Sequence, residues 1–273
     1  MSCWPALVLL VLAVLGAPTE SRAASPRVAA HRGGALLWPE NSLRAFRGAL
    51  GLGADFLETD VHLSADGEVM VIHDPTLERT TTGRGAVRGV ALGDLGRVRL
   101  KAADGAVTDE PVPTLGALLD LLKPGRASLL LEIKVGSDRQ RYPGIEEKVL
   151  ALVRARDLTG RVRVMAFETA TLARVRELDA TIPTVLLIGR RAVEAARAIP
   201  KELVDRATSV GATDLGVEHH GLEAGLTSAA RAAGLGLAAW TVNDERDMRR
   251  LVDLGVDLLI SDRPDLALRV LGR

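Results

Sequence analysis

Two histidines, each ending an apolar run, stand on either side of a carboxylate pair. The chain reads Val28-Ala29-Ala30-His31-Arg32-Gly33-Gly34, then Phe56-Leu57-Glu58-Thr59-Asp60-Val61-His62, then Val69-Met70-Val71-Ile72-His73-Asp74. A third carboxylate follows in the same setting, at Leu129-Leu130-Leu131-Glu132-Ile133-Lys134. Glu58 and Asp60 differ by two positions, so a β-strand projects both to one face. With Glu132 on a neighbouring strand, three carboxylates meet, and repulsion would force protons onto some of them. A divalent cation removes that penalty, and an all-oxygen ligand set selects a hard ion, Mg2+ or Ca2+. His31 and His73 flank the cluster as a candidate proton donor and acceptor, a role worth about 10²–10⁴ in rate near neutral pH. Arg32 beside His31, and Lys134 two residues beyond Glu132, set positive charge where a phosphate could sit. Taken singly, each of these groups has a structural reading as an ion-pair partner or a solvated strand end. Together on consecutive strands they make the parts of a metal-assisted phosphoester site.

Other residues carry weaker signals. His62 shares the parity of Glu58 and Asp60 but lies further along the strand and reads as solvated. His219-His220 follow a weakly marked strand and read as surface residues. Trp240 ends a strand, where its indole is either core or an apolar wall for a substrate alcohol. Gly33-Gly34 suit a tight loop and close approach to a ligand.

The elements that must position these groups alternate along the chain. Strands are expected at Val28–Ala30, Phe56–His62, Ser128–Ile133, Arg161–Ala166, Thr184–Leu187, Asp214–Val217, Gly236–Thr241 and Leu258–Ser261. Helices are expected at Ser42–Leu52, Thr114–Leu122, Ile145–Arg156, Ala170–Leu178, Ala192–Ala198, Thr227–Ala233, Glu245–Leu254 and Pro264–Val270. Eight such alternations fit a closed parallel (β/α)8 barrel better than an open sheet. Asn41-Ser42, Thr114 and Asn243-Asp244 supply helix caps, and Gly160, Gly234 and Gly255 stand just past helices where positive φ is often needed. Residues 64–113 break the rhythm: Asp66-Gly67 turns back an extra strand at Val69–Ile72, and the stretch to Pro113 has no clean helix. This segment reads as an insertion over one mouth of the barrel.

Composition agrees with one soluble domain over residues 27–273. The 273 residues are 47% hydrophobic and 26% charged, and about 250 residues is the usual length of one such barrel. With 35 basic and 35 acidic residues the net charge is zero, so no global field favours nucleic acid or an anionic membrane. Aromatics are only 3%, which makes the core aliphatic. Ala6 to Ala17 is apolar apart from Gly16, short of the roughly 20 residues of a membrane span and suited to a signal peptide. Ser21-Arg22-Ala23 offers a cleavage pattern, giving an expected signal peptide at residues 1–23 and export to a periplasm or the outside. Met1-Ser2-Cys3-Trp4 lacks Lys or Arg, which leaves an uncleaved anchor or a different start as alternatives. Cys3 lies inside that segment, so a mature chain would have no disulfide or thiolate chemistry.

Taken together the motifs resemble the glycerophosphodiester phosphodiesterases. The match lies in His31-Arg32-Gly33-Gly34, Pro39-Glu40-Asn41-Ser42, and Glu58-Thr59-Asp60-Val61 through Asp66-Gly67 to His73-Asp74. It continues in Glu132-Ile133-Lys134, Trp240-Thr241-Val242-Asn243 and Ser261-Asp262-Arg263-Pro264. The resemblance implies a TIM barrel with a small insertion after strand two, hydrolysing glycerophosphodiesters to glycerol 3-phosphate and an alcohol. It also implies that Glu58, Asp60 and Glu132 bind Mg2+ or Ca2+ and that His31 and His73 are the acid–base pair. Arg32 and Lys134 would hold the phosphate, with Glu40 and Trp240 lining the site. Ala166 precedes Phe167 where the family usually has Ser, and Ser261 stands where Thr is common, departures that touch substrate contacts rather than chemistry. Two rivals remain open: a lysophospholipase D-type or cyclising phospholipase, and a non-catalytic phosphodiester-binding protein.

Overall fold

The computed structural model describes residues 25–196 and 199–273, so the expected signal peptide lies outside the described residues. Among the described residues eleven strands are formed: β1 Arg27–Ala30, β2 Phe56–Leu63, β3 Val69–Val71, β4 Arg99–Lys101, β5 Val107–Pro111, β6 Ser128–Ile133, β7 Val162–Ala166, β8 Thr184–Ile188, β9 Asp214–Glu218, β10 Gly236–Trp240 and β11 Leu258–Ser261. The helices are α1 Leu43–Leu52, α2 Leu92–Leu95, α3 Leu115–Leu122, α4 Ile145–Arg154, α5 Thr169–Leu178, α6 Arg190–Ala195, α7 Lys201–Ser209, α8 Ala224–Ala232, α9 Glu245–Asp253 and α10 Pro264–Val270. Eight parallel strands run in the order β1-β11-β10-β9-β8-β7-β6-β2, and β2 closes the ring on β1 through Ala29↔Phe56 and Ala30↔Leu57. The expected (β/α)8 barrel is what these residues form.

Strand parity decides what enters the barrel. Ala29, Phe56, Leu130, Met165, Leu187, Ala238 and Ile260 pack together inside the ring. Their neighbours Leu57, Val61, Leu129 and Leu131 face outward into an aliphatic shell shared with Phe46, Leu118 and Val149 of the helices. Each buried Leu or Val in that shell contributes about 1.5–3 kcal/mol. Because side chains alternate, the inward row that begins with Phe56 continues to Glu58 and Asp60, and the row through Leu130 continues to Glu132. Asp60 and Glu132 are direct register partners across β2 and β6.

The insertion after β2 carries its own small core. β3 runs antiparallel to β2, with Gly67 at φ +80° in the connecting turn. Beyond it, β4 and β5 form a separate two-stranded sheet, and Met70, Ile72, Leu77, Leu95 and Leu100 are buried together. The large apolar side chains of this segment therefore pack mostly on one another.

Several local expectations need correction. A single helix was expected between β8 and β9, at Ala192–Ala198; two form, α6 and α7. Pro200 immediately before α7, and the Leu203, Val204 and Ala207 face that α7 buries, were the available signal. Gly160 does not take a positive φ; Asp157, at φ 59°, makes the turn after α4, while Gly234 and Gly255 do turn at +73° and +76°. Ser42 and Thr114 cap α1 and α3 by accepting from Ala45 N and Ala117 N.

Candidate active site

The carboxyl ends of the strands open on one mouth, where catalytic groups of such barrels collect. A cavity of about 120 Å3 there is lined by His31, Arg32, Glu58, His73, Glu132 and Lys134 on its polar side. Met165, Phe167, Leu187, Trp240 and Ile260 line its apolar side. A wider groove of about 800 Å3 lies at the other end of the barrel, around Arg47, Asp55 and Ser128, and contains none of these groups.

The loop after β1 brings the first histidine in. Arg32 sits in the left-handed region at φ 51°, an uncommon conformation for a side-chain-bearing residue, and there its backbone N–H donates to Glu58 Oε2 at 2.7 Å. Gly33, at φ +83°, is required by packing: a Cβ would meet Ala45 Cβ at 2.7 Å. At Gly34 a Cβ would press on the Trp38 ring and Pro264. The glycine pair thus forms the expected tight loop and also lets α1 and Trp38 approach it.

Glu58, Asp60 and Glu132 are all buried, and one oxygen of each lies within 4.8 Å of the others. Burial, then the charge of Asp60, pushes Glu58 up to about 8; burial also pushes Glu132 up to about 7 against the pull of Lys134. For Asp60, burial is outweighed by Lys134, His73, Arg32 and His31, which hold it well below the carboxylate range. Asn41 Nδ2 donates to Asp60 Oδ2 at 2.9 Å, and Lys134 Nζ lies 3.0 Å from Asp60 Oδ1 and 2.7 Å from Glu132 Oε1. Lys134 thus bridges Asp60 and Glu132. Two buried carboxyls pushed toward the protonated form, with a third carboxylate within 4.8 Å, are what a hard divalent cation would resolve. The donor set fits the ion.

Each flanking histidine is braced by an aspartate. The Nδ1–H of His31 donates to Asp262 Oδ1 at 2.6 Å, and Asn243 Nδ2 donates to the other oxygen of Asp262 at 2.7 Å. The Nδ1–H of His73 donates to Asp74 Oδ1 at 2.7 Å. Asp74 accepts from Arg79 Nε at 2.6 Å, Arg79 reaches Glu40 at 2.8 Å, and Arg32 Nη1 reaches Glu40 at 3.1 Å. In both rings this leaves Nε2 as the working atom. Burial depresses His31 most strongly, but Glu58 and the Asp262 bond outweigh it and its pKa is raised; burial leaves His73 lowered.

The sequence-derived residues are therefore brought together, with Asp60 and Glu40 set back from the cavity lining. Glu40 is not among the cavity-lining residues; it bridges Arg32 and Arg79 behind them. His62, expected to be solvated, is fully buried: burial lowers it to about 4, so its neutral ring donates from Nε2 to the His73 carbonyl and accepts at Nδ1 from Tyr142 Oη. His219, expected at the surface, is buried as well, while His220 is exposed. Asp262, Asn243 and Arg79 were not singled out for a site role. Asp262 had a signal, an acid at the carboxyl end of the last strand; Arg79 lies in the irregular insertion and had none.

Comparison with known proteins agrees with this geometry. A model described as "Glycerophosphoryl diester phosphodiesterase family" matches residues 31–266. A curated glycerophosphodiester phosphodiesterase of Caldanaerobacter subterraneus is 32% identical, over 90% of this chain and 98% of its own. A solved structure described as a putative glycerophosphoryl diester phosphodiesterase from Agrobacterium tumefaciens superposes with TM-score 0.84 at 27% identity, covering 91% of this chain and 98% of that one. An Oleispira antarctica phosphodiesterase in complex with the product sn-glycerol-3-phosphate gives TM-score 0.77 at 25% identity, covering 91% and 98%.

Proposed function

The chain belongs to the glycerophosphoryl diester phosphodiesterase family, and from that premise we propose how its cavity performs the hydrolysis. The protein is a phosphoric diester hydrolase that releases glycerol 3-phosphate and an alcohol. Glu58, Asp60 and Glu132 would hold one divalent cation, Mg2+ or Ca2+ by its all-oxygen donors. Such an ion supplies Lewis acidity, drawing charge from a phosphoryl oxygen as negative charge builds.

The chain's own residues supply the rest. Arg32 and Lys134, both lining the cavity, orient the phosphate and balance its charge. Arg32 Nε is buried without a hydrogen-bond partner among the described residues, a donor that a phosphoryl oxygen would satisfy. Met165, Phe167 and Trp240 receive the carbon skeleton; Trp240 stands edge-on to Phe167 and donates from Nε1 to the Gly216 carbonyl at 2.9 Å. His73, kept neutral, takes the proton of the attacking oxygen as the new P–O bond forms. His31, the ring whose pKa is raised, gives its proton to the departing alcohol oxygen as the old P–O bond breaks. Glu40 positions Arg32 and Arg79.

The observation that carries this reading is the meeting of three buried carboxylates within 4.8 Å, two of them lining a cavity that both histidines also line. The test uses leaving groups of different basicity. His31→Ala should lose far more rate on a glycerophosphodiester with an alkyl alcohol than on a nitrophenyl diester, whose phenolate departs without a proton. His73→Ala should lose the same on both. Equal losses for His31→Ala would reverse the assignment. We also propose that residues 1–23 direct export and are removed, which N-terminal sequencing of the mature protein tests.

A further inference from the structure

The carboxyl end of β9 holds a second group of ligand-type side chains that the hydrolysis does not use. Glu218 ends the strand, and His219 and His220 follow it in a single tight turn. One ligand atom from each lies within 4.8 Å of the others. Glu218 Oε1 is 3.6 Å from His219 Nδ1 and accepts a hydrogen bond from the Nδ1–H of His220 at 2.6 Å, a proton that a bound ion would replace. The 3.6 Å separation is close to the roughly 3.3 Å between donors around a tetrahedral ion with bonds near 2.0–2.1 Å.

Two atoms of the group lack what burial demands. Glu218 Oε2 and His219 Nδ1 have no hydrogen-bond partner among the described residues, although the His219 side chain is only 9% exposed. A buried imidazole nitrogen left unsatisfied beside a carboxylate is a cost that an ion would relieve. The other ring nitrogen, His219 Nε2, faces Asp247 Oδ2 at 3.6 Å, the carboxylate–histidine arrangement that orients a metal-binding ring. The turn is already fixed in place: Arg250, on α9 with Asp247, donates to the His219 carbonyl at 2.8 Å and the Leu222 carbonyl at 3.1 Å.

We propose that Glu218, His219 and His220 form a second metal site, taking a borderline transition ion of the Zn2+ class, with Asp247 holding the His219 ring and a water completing the tetrahedron. Two imidazoles and one carboxylate select such an ion over Mg2+ or Ca2+, which prefer oxygen alone. The ion would tie the end of β9 to α9. Glu218 is the register partner of Trp240, so the tie also stiffens the strand that carries the cavity's apolar wall. Neither histidine lines that cavity, so the role is structural.

The test is Zn2+ binding to the metal-stripped full chain by equilibrium dialysis, with Cu2+ electron paramagnetic resonance to count coordinated nitrogens. Asp60→Asn, with its carboxylate cluster weakened, should still bind one Zn2+ at micromolar concentration and give a two-nitrogen Cu2+ spectrum. Should Asp60→Asn fail to fold, wild-type protein saturated with Mg2+ serves in its place. His220→Asn and Glu218→Gln should each weaken that binding more than about tenfold and abolish the rise in Tm that Zn2+ gives wild type. Absence of this site in Asp60→Asn or Mg2+-saturated protein, a spectrum without nitrogen coupling, or affinity unchanged by His220→Asn and Glu218→Gln would each overturn the proposal.

Discussion

Asp262 Oδ1 lies 2.6 Å from His31 Nδ1, although 231 residues separate them in sequence. The bond joins the first barrel strand to the last, fixes the His31 tautomer and raises the pKa of the ring together with Glu58. Asp262→Ala should therefore lower kcat and move the basic limb of the pH–rate profile to lower pH, because His31, the general acid, would lose its proton there. The loss should be smaller than that of His31→Ala, and a profile left unshifted would mean that Asp262 does not act through His31.

His31→Ala and His73→Ala should each lower turnover by at least about a hundredfold with the fold retained, the range carried by a placed general acid or base. Turnover of purified variants, beside their circular dichroism, decides this. Wild-type activity in either variant would remove that residue from the chemistry.

The carboxylate cluster should respond to pH differently with and without metal. Between the ordinary glutamate value of 4.5 and about 8, metal-free native protein keeps protons on Glu58 and Glu132 that the unfolded chain has released. Its stability should therefore fall as pH rises through that window. Asp60, depressed in the folded state, adds a stabilising share that is constant there. A bound cation favours the ionised carboxyls, so the Tm increase on adding Mg2+ or Ca2+ should grow from pH 6 to pH 8. A metal-induced increase that shrinks with pH would contradict this.

Substitutions within the cluster should have opposite effects on the metal-free protein. Glu58→Gln removes a buried group that repels Asp60 and should raise the apo Tm at pH 8 while weakening metal binding. Asp60→Asn leaves Lys134 and Arg32 without their shared carboxylate and should destabilise by about 3–5 kcal/mol, as breaking a buried pair does. Denaturant melts of both stripped variants separate the two cases.

What the sequence made legible follows from what is local in it. Strand parity alone brought Glu58, Asp60 and Glu132 to one face, and the caps at Ser42 and Thr114 marked where helices begin. Partners supplied by distant segments were invisible. Tyr142, the sole tyrosine of the chain, buries His62 against expectation from the loop after β6. Arg79 reaches Asp74 from an insertion with no periodicity to mark it. Helix α7 escapes a pattern of one helix per strand because α6 and α7 share a single crossover between β8 and β9.

Arg79→Ala tests how much the insertion matters to catalysis. Arg79 holds Asp74, whose carboxyl it and His73 draw down to about 2 against burial, and Asp74 holds His73. Arg79 is about half exposed, so the fold should survive its loss. Activity should drop measurably, yet well short of the ~10²–10⁴ of a placed histidine, through a lower kcat with the acidic limb of the profile, set by His73 as base, displaced. An unchanged profile would mean that the insertion does not position His73.

The most direct test of the shared-cation account is glycerol 3-phosphate release by chelator-stripped enzyme, titrated with Mg2+ or Ca2+ while bound metal is counted. Stripped wild type should be inactive and recover in proportion to a single ion at the carboxylate cluster, an ion that Asp60→Asn binds far more weakly. Full activity in stripped protein, or equal metal-dependent recovery in Asp60→Asn, would contradict a cation held by Glu58, Asp60 and Glu132.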